Sequence, residues 1–336
     1  MKTFHSKILI LIVLLILGGI GLRTINIQDP PLDLHAFRQI RSLALARKFF
    51  YNLQPNAPDE LRIKANYLGS QFEVMEPPLI ESIMAGGYLV AGKEIPWLGR
   101  LLSVLLWCAG GFFLYDLARR ISNPLGGIFS LLYYLFLPYA VMESRTVMPN
   151  PMMVSAIIMA LWAIYIWGGT LNWKWTVLAG ILSGFAILTK VFAIYHLFLP
   201  AALMLLSKDG FLKTLKNIKV WLFLLVSAVI PLVYYLWVPD RSATNYLTTW
   251  TLNYLNLLTD PYFYLSWLHL LNGQFGLVFV LAGFVMLVYF KGKDRWFISG
   301  LWLSYFLFGA TLPSLIITHT YYSLPLVPIV ALTLAP

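Results

Sequence analysis

Asp33, His35, Arg38 and Gln39 fall within seven residues of one another. A carboxylate in such a group can take the proton of an attacking hydroxyl, or coordinate a divalent metal that activates one. A guanidinium beside it can hold a phosphate through paired N–H donors. Further polar side chains stand out against apolar surroundings: Glu73 and Glu76, Glu143, Arg145 and Asn150, Lys190, Asp240 and Arg241, then His319, Tyr321 and Tyr322. Bases for a phosphate and carboxylates for a hydroxyl suit transfer from a phosphate-linked carrier. No P-loop, zinc motif, nucleophile elbow or dinucleotide fingerprint is present, so soluble-nucleotide chemistry finds no support. The single Cys108 offers neither a disulfide framework nor a thiolate cluster.

Each of these residues also has a plainer reading. Asp33 follows Pro30-Pro31 and precedes a helix, so it could be an N-cap, although a cap accounts for none of His35, Arg38 and Gln39. Arg38 can be one solvated charge on an amphipathic face. Glu143 to Asn150 can be an ordinary turn, because Asn and Pro break structure. Lys190 can be a snorkelling anchor or a point-charge ligand for phosphate. His319, Tyr321 and Tyr322 can be interfacial anchors, or can receive a polar head group.

The elements that must position these residues are helices in a membrane. Of the 336 residues 60% are hydrophobic, 16% aromatic and only 11% charged, with a mean hydropathy of +0.75. A soluble domain carries about 25% charge, and so few charges could not cover a globule in water. The reading is therefore an all-α, polytopic transmembrane bundle. Apolar segments run over 7–25, 97–118, 124–142, 151–168, 174–190, 191–207, 219–238, 275–291, 296–314 and 322–336, the sixth and last being short for a full span. The net charge of +10 sits mostly at segment ends, as topology requires, which argues against a nucleic-acid partner.

Lys2 and Lys7 place the N-terminus in the cytoplasm, with an uncleaved first helix because Arg23 and Asn26 stand where a small-residue cleavage site would be. Counting from there, Arg119-Arg120, Lys174, Lys208 to Lys219 and Lys291 to Arg295 all fall inside. Segments 24–96 and 239–274 fall outside, with every candidate site residue at that face. Within 24–96 the spacing predicts an amphipathic interfacial helix from Leu34 to Tyr51, with Phe37, Ile40, Ala44 and Phe50 on one side and Arg38, Arg41 and Lys48 on the other. Residues 52–75 read as a polar loop, and Pro77-Pro78 opens a second short helix from Leu79 to Val90. Segment 239–274 is rich in Trp and Tyr, as interfacial helices are. Ala335-Pro336 lies inside an apolar run, so the sequence reads as part of a longer chain. No soluble domain and no internal repeat is evident.

Five stretches together resemble the GT-C glycosyltransferases that use polyprenyl-phosphate sugars, nearest the family 39 branch with its protein O-mannosyltransferases and the lipid A aminoarabinose transferase. Asp33-Leu-His35-Ala-Phe-Arg38-Gln39 is similar to the acidic motif of the first loop. Glu76-Pro77-Pro78-Leu79 through Trp97-Leu98-Gly99-Arg100-Leu101 resembles the second interfacial helix and the start of the second span. Ser144-Arg145-Thr-Val-Met148-Pro149-Asn150 resembles the second-loop motif. Gly180 to Leu188-Thr189-Lys190 resembles a glycine-rich helix ending in Leu-Thr-Lys. His319-Thr-Tyr321-Tyr322-Ser-Leu-Pro325 resembles a late His-x-Tyr-Tyr-x-Leu-Pro segment.

The resemblance implies the GT-C fold and an inverting transfer at the outer face of the cytoplasmic membrane. The sugar would move from a polyprenyl-phosphate donor to the hydroxyl of a glycan, lipid or protein. Asp33 would act as base or orient the hydroxyl; Lys190, Arg145 and Arg38 would hold the phosphate; His319 and Tyr322 would line the carrier side, with His35 and Gln39 in the same site. One position departs from the family: its second-loop motif ends in Asp, and here stands Asn150, which can be neither a base nor a strong metal ligand. Glu143 and Glu76 are the substitute acids, and a divalent metal remains an option rather than an implied cofactor. Two rival readings stay open. A transporter of lipid-linked sugars would need polar residues at mid-bilayer and interrupted helices in both halves, whereas these helix centres are almost clean. A non-catalytic, lipid-binding relative would fit Asn150.

Overall fold

The computed structural model of the chain describes residues 2–72, 74, 76–237 and 249–336, and among these it holds helices and no strands. Glu73, Asp240 and Arg241, and with them part of segment 239–274, lie outside the described residues. The helices are α1 (Lys2–Thr24), α2 (Ala36–Leu53), α3 (Asp59–Ser70), α4 (Leu79–Ala91), α5 (Leu98–Ile121), α6 (Pro124–Phe136), α7 (Pro138–Glu143), α8 (Pro149–Thr170) and α9 (Trp173–Thr189). They continue as α10 (Ala193–Asp209), α11 (Phe211–Lys216), α12 (Ile218–Trp237), α13 (Pro261–Phe275), α14 (Leu277–Met286), α15 (Gly292–Thr311), α16 (Pro313–Thr318) and α17 (Leu326–Thr333).

The result is an all-α, polytopic membrane bundle. Among the described residues four helices, α1, α5, α8 and α12, are long and apolar enough to cross a bilayer alone. Helices α13 and α14 form a further pair bent by 96° at Gly276, whose φ of +72° glycine tolerates without strain. The apolar run 124–142 is two helices rather than one, because Pro138 cannot continue the helix before it and instead starts α7. Helix α8 is 78% buried over its apolar window, against 17% for α1 and for α12, so α8 is the axis and those two face lipid.

Small residues let the helices approach closely, as is usual where lipid provides no hydrophobic drive between helices. A Cβ on Gly180 would lie 2.7 Å from Val226, and one on Gly184 would lie 3.0 Å from the Ser227 carbonyl oxygen, so α9 presses its glycine face onto α12. A Cβ on Gly300 would meet the Pro200 backbone at 2.5 Å, fixing α15 against α10. Trp107 of α5 stacks on Tyr134 of α6 at 4.3 Å.

The bundle has two unlike ends. At one, the basic turns meet: Lys208 donates to the Gly168 carbonyl at 3.0 Å, Lys219 lies 5.3 Å from the Trp173 ring, and Asp116 accepts from Arg120 and from the Trp162 indole. At the other lie the first loop with α2–α4, the α7–α8 turn, the end of α9 and the strip after α16.

Helix α2 turns Phe37 and Ile40 of its apolar stripe outward and buries Phe50 together with part of its polar face. Gln39, Arg41, Ser42, Leu45, Ala46 and Phe50 are buried, while Phe37 and Ile40 are exposed. The neighbours decide this: α2 lies on α3 and α4 and buries polar partners against them, leaving apolar residues outward where a bilayer would meet them. Residues 59–70, read from sequence as loop, form α3. Asp59 and Glu60 in its first turn complement the helix dipole, and Pro58 stands just before it, where a proline costs no helical hydrogen bond.

Candidate active site

Asp33 does not cap α2. His35 occupies the cap position in the left-handed region, φ 52°, with no side-chain cap bond. Asp33 instead accepts from Arg100 at 2.8 Å and from the Gln39 amide at 3.0 Å. Arg100, at the start of α5, is buried, and its other arm donates to the Asp29 carbonyl at 2.9 Å, so one guanidinium pins both the loop and its carboxylate. Burial works against ionisation of Asp33, but the Leu34 backbone N–H, Arg100 and Gln39 outweigh it and hold the carboxyl below its ordinary range. Gln39 is fully used: its amide also donates to the Leu34 carbonyl at 2.7 Å, and its oxygen accepts from the Val147 N–H at 3.0 Å. It thereby ties the first loop to the α7–α8 turn. Beside Arg100 lies an open cleft lined by Pro30, Pro31, Pro96, Trp97 and Val147. Arg145 sits on this side, donating to the Asn26 carbonyl at 3.3 Å, and burial followed by the nearby Arg100 lowers its affinity for its proton.

A second group joins distant parts of the chain. His35 Nε2 lies 2.9 Å from Glu143 Oε1 and 3.0 Å from the Thr320 hydroxyl, which itself donates to Glu143 Oε1 at 2.6 Å. Glu143 is buried, and its Oε2 has no hydrogen-bond partner among the described residues. The left-handed backbone of His35 is a strained conformation for a residue with a Cβ, held here by contacts to two other segments, through Glu143 and through Thr320 and Tyr321, the last packed edge-on at 4.8 Å. Arg23, at the end of α1, reaches the neighbouring Ser144 hydroxyl at 2.6 Å and the Leu135 carbonyl at 2.9 Å, which secures the turn carrying Glu143.

The third group is cationic. Glu76 accepts from Arg38 at 2.7 Å and from Arg41 at 3.3 Å, and lies 3.3 Å from Lys190 Nζ. Lys190 Nζ also donates to Asn150 Oδ1 at 3.2 Å and sits 5.2 Å from the Tyr322 ring and 5.5 Å from the Tyr321 ring. Asn150 donates in turn to the Tyr321 carbonyl at 3.3 Å. Lys190 is therefore no snorkelling anchor; it is buried one residue past the end of α9. Burial pulls its pKa down to about 8, with Glu76 resisting. Burial also opposes the charge on Glu76, but Lys190, Arg38 and Arg41 overcome it and hold Glu76 far below the usual carboxylate range. Half-buried His319 packs edge-on to Tyr322, and burial followed by His35, Arg38 and Lys190 lowers its pKa.

Asp33, His35, Arg38, Gln39, Glu76, Glu143, Arg145, Asn150, Lys190, His319 and Tyr322 thus all reach one end of the bundle, Arg145 on the Asp33 side rather than with Lys190. Sequence reasoning passed over Arg100, Arg41 and Thr320 as individual residues. Arg100 sits inside a motif that reads as a helix start, and Arg41 looks like one more solvated charge. Nothing local marks Thr320, which matters only because the fold brings it to Glu143. Among the described residues no three His, Cys, Asp or Glu side chains converge on a common metal position. Asp33 is engaged by Arg100, Glu143 by His35 and Glu76 by the cationic group.

The sequence profile of the dolichyl-phosphate-mannose-protein mannosyltransferase family matches residues 75–237. Comparison with curated proteins gives no match. Among solved structures, the crystal structure of ArnT from Cupriavidus metallidurans bound to undecaprenyl phosphate superposes with a TM-score of 0.65 at 16% identity, over 99% of this chain and 60% of that one. The same protein in the apo state gives a TM-score of 0.67, also at 16% identity, over 98% and 59%. The chain therefore spans about 60% of the length of the structures it matches.

Proposed function

This chain has the GT-C membrane fold, and from that premise we propose that it is a glycosyltransferase moving a sugar from a polyprenyl-phosphate carrier to an acceptor hydroxyl. The observation that carries the proposal is the gathering of Arg38, Arg41 and Lys190 in one buried group, at the same end of the bundle as an ionised carboxylate, Asp33. Buried like charges in excess are costly without a counter-ion, and a phosphate is the anion such a group suits. The family profile and the ArnT likeness are consistent with that carrier.

In this reading the acceptor oxygen attacks the anomeric carbon, and the bond from that carbon to the phosphate oxygen breaks on the opposite side, inverting the centre. Asp33, held ionised and aimed by Arg100 and Gln39, orients the hydroxyl and receives its proton. Lipid phosphate leaves as it gains negative charge, and Lys190 with Arg38 stabilises that charge where it develops. Glu143 holds His35 and Thr320 and is the second candidate base. His319 and Tyr322 line the carrier side. The basic turns at the opposite end of the bundle support a cytoplasmic position for that end, and with it a site at the outer face of the inner membrane.

The test is transfer in membranes from a panel of radiolabelled polyprenyl-phosphate sugars, wild type beside Asp33→Asn. Transfer by wild type alone supports the reading. Equal transfer by both moves the base to Glu143. Retained lipid-phosphate binding without transfer from any donor supports the non-catalytic alternative.

A further inference from the structure

Glu76 has an unusual place for a carboxylate in a site meant for an anion. Arg38, Arg41 and Lys190 all direct N–H donors at its two oxygens, at 2.7, 3.3 and 3.3 Å. It therefore stands where the oxygens of a phosphate would make the same contacts. A neighbouring carboxylate, Glu81, is taken by the Ser42 hydroxyl at 2.6 Å. Asn150, the remaining ligand of Lys190, is neutral. Among the described residues, Glu76 thus meets three cations at once.

We propose that Glu76 is an internal competitor for the carrier's phosphate: it occupies the cations when the site is empty, gives them up when phosphate enters, and takes them back as lipid phosphate leaves. The inference rests on the carrier-phosphate reading given for this site. It has a chemical purpose there. The donor phosphate is a diester with one negative charge, whereas the released lipid phosphate is a monoester that gains most of a second charge near neutrality. Without the Glu76 carboxylate the group would hold that product more tightly than the donor and slow its release. A carboxylate on a short reach offsets one of the cations, and it lies on the Pro77-Pro78 approach to α4 rather than inside a helix, so it can swing without breaking helical hydrogen bonds. Lys190 keeps Asn150, Tyr321 and Tyr322 as neighbours throughout, which holds the cation in place while its counter-ion changes.

The experiment is equilibrium binding of farnesyl phosphate to the detergent-solubilised full chain, for wild type, Glu76→Gln, Lys190→Met and Asn150→Asp, with thermal melting of each as a check on folding. A competitor predicts that Glu76→Gln binds about tenfold more tightly, the scale of one removed charge contact in a partly solvated site. Asn150→Asp, which adds a second carboxylate to Lys190, should bind several-fold more weakly and serves if Glu76→Gln fails to fold. Weaker or unchanged binding by Glu76→Gln, with Lys190→Met impaired, overturns the competitor and makes Glu76 a structural clamp. Should Asn150→Asp be the variant available, unchanged or tighter binding by it overturns the competitor equally. Binding that Lys190→Met leaves untouched overturns the phosphate reading itself, and this inference with it.

Discussion

Arg100 and Asp33, 67 positions apart, form a 2.8 Å ion pair in which the arginine is buried and the carboxylate is more than a third exposed. The buried partner is the fixed one: Arg100 also grips the Asp29 carbonyl, so the loop that presents Asp33 cannot shift without opening that contact. A carboxylate held this way is preorganised for an incoming hydroxyl at little cost in ordering.

Removing the pair should change the pH profile as well as the rate. Arg100 helps hold Asp33 below its ordinary range, so Asp33 stays ionised, and transfer persists, to lower pH than for a free carboxylate. Arg100→Gln should move the acid limb of kcat/KM to higher pH, with a loss of about tenfold or more at neutral pH. The profile is measured from pH 4 to 8 on folded protein. An acid limb that stays put in the variant means that Asp33 does not titrate in the reaction.

Lys190 should set the alkaline limb of carrier binding. Its pKa is down to about 8 because burial disfavours the charged form, so it loses its proton as pH rises through that value. Binding of a lipid phosphate should fall from pH 7.5 to 9.5, and Lys190→Arg, which stays charged, should flatten the fall. The stability change has the opposite sign. Between about 8 and the unfolded value near 10.4 the unfolded chain binds the extra proton, so folding is favoured as pH rises through that window. Melting of wild type and Lys190→Met across it checks this.

Glu143 and Asp33 should differ in what their loss does to the fold. Glu143 is buried and engaged by His35 and Thr320, whereas Asp33 is partly in solvent. Glu143→Ala removes the acceptor that His35 and Thr320 share, at a cost of about 1–3 kcal/mol, so it should melt several degrees below Asp33→Asn. Equal melting temperatures would show that the His35–Glu143–Thr320 group does not brace the segments it joins.

The glycine face of α9 offers a test remote from the chemistry. Gly180→Val drives side-chain carbons into Val226, at a contact already 2.7 Å from a bare Cβ position. It should lower the melting temperature and, by tilting α9, displace Lys190 at its end, weakening lipid-phosphate binding about tenfold. Val226→Ala in the same chain should restore much of both.

The pairing partners were the least legible part of the site. Arg41 reads only as one of three bases on the polar face of α2, and the fold buries it on Glu76. Lys190 reads as an anchor or a ligand, and only its burial against Asn150 and two tyrosines speaks against the anchor. Helix α3 was missed because its composition is polar and two prolines precede it, and its helical state depends on packing against α2 that local sequence does not encode.

What the sequence by itself determined is the membrane character, the order of apolar segments and the clustering of chemistry-bearing residue types at their ends. Those follow from two short-range quantities, the run length of apolar residues against bilayer thickness and the placement of charge beside them. What only tertiary structure decided is which charge meets which. His35 with Thr320, Gln39 with Val147 and Glu76 with Lys190 lie between 108 and 285 positions apart. Contacts at such separations arise from how whole helices pack, and that is settled by glycine faces, proline breaks and buried volume summed over the bundle rather than by any residue pair's own chemistry.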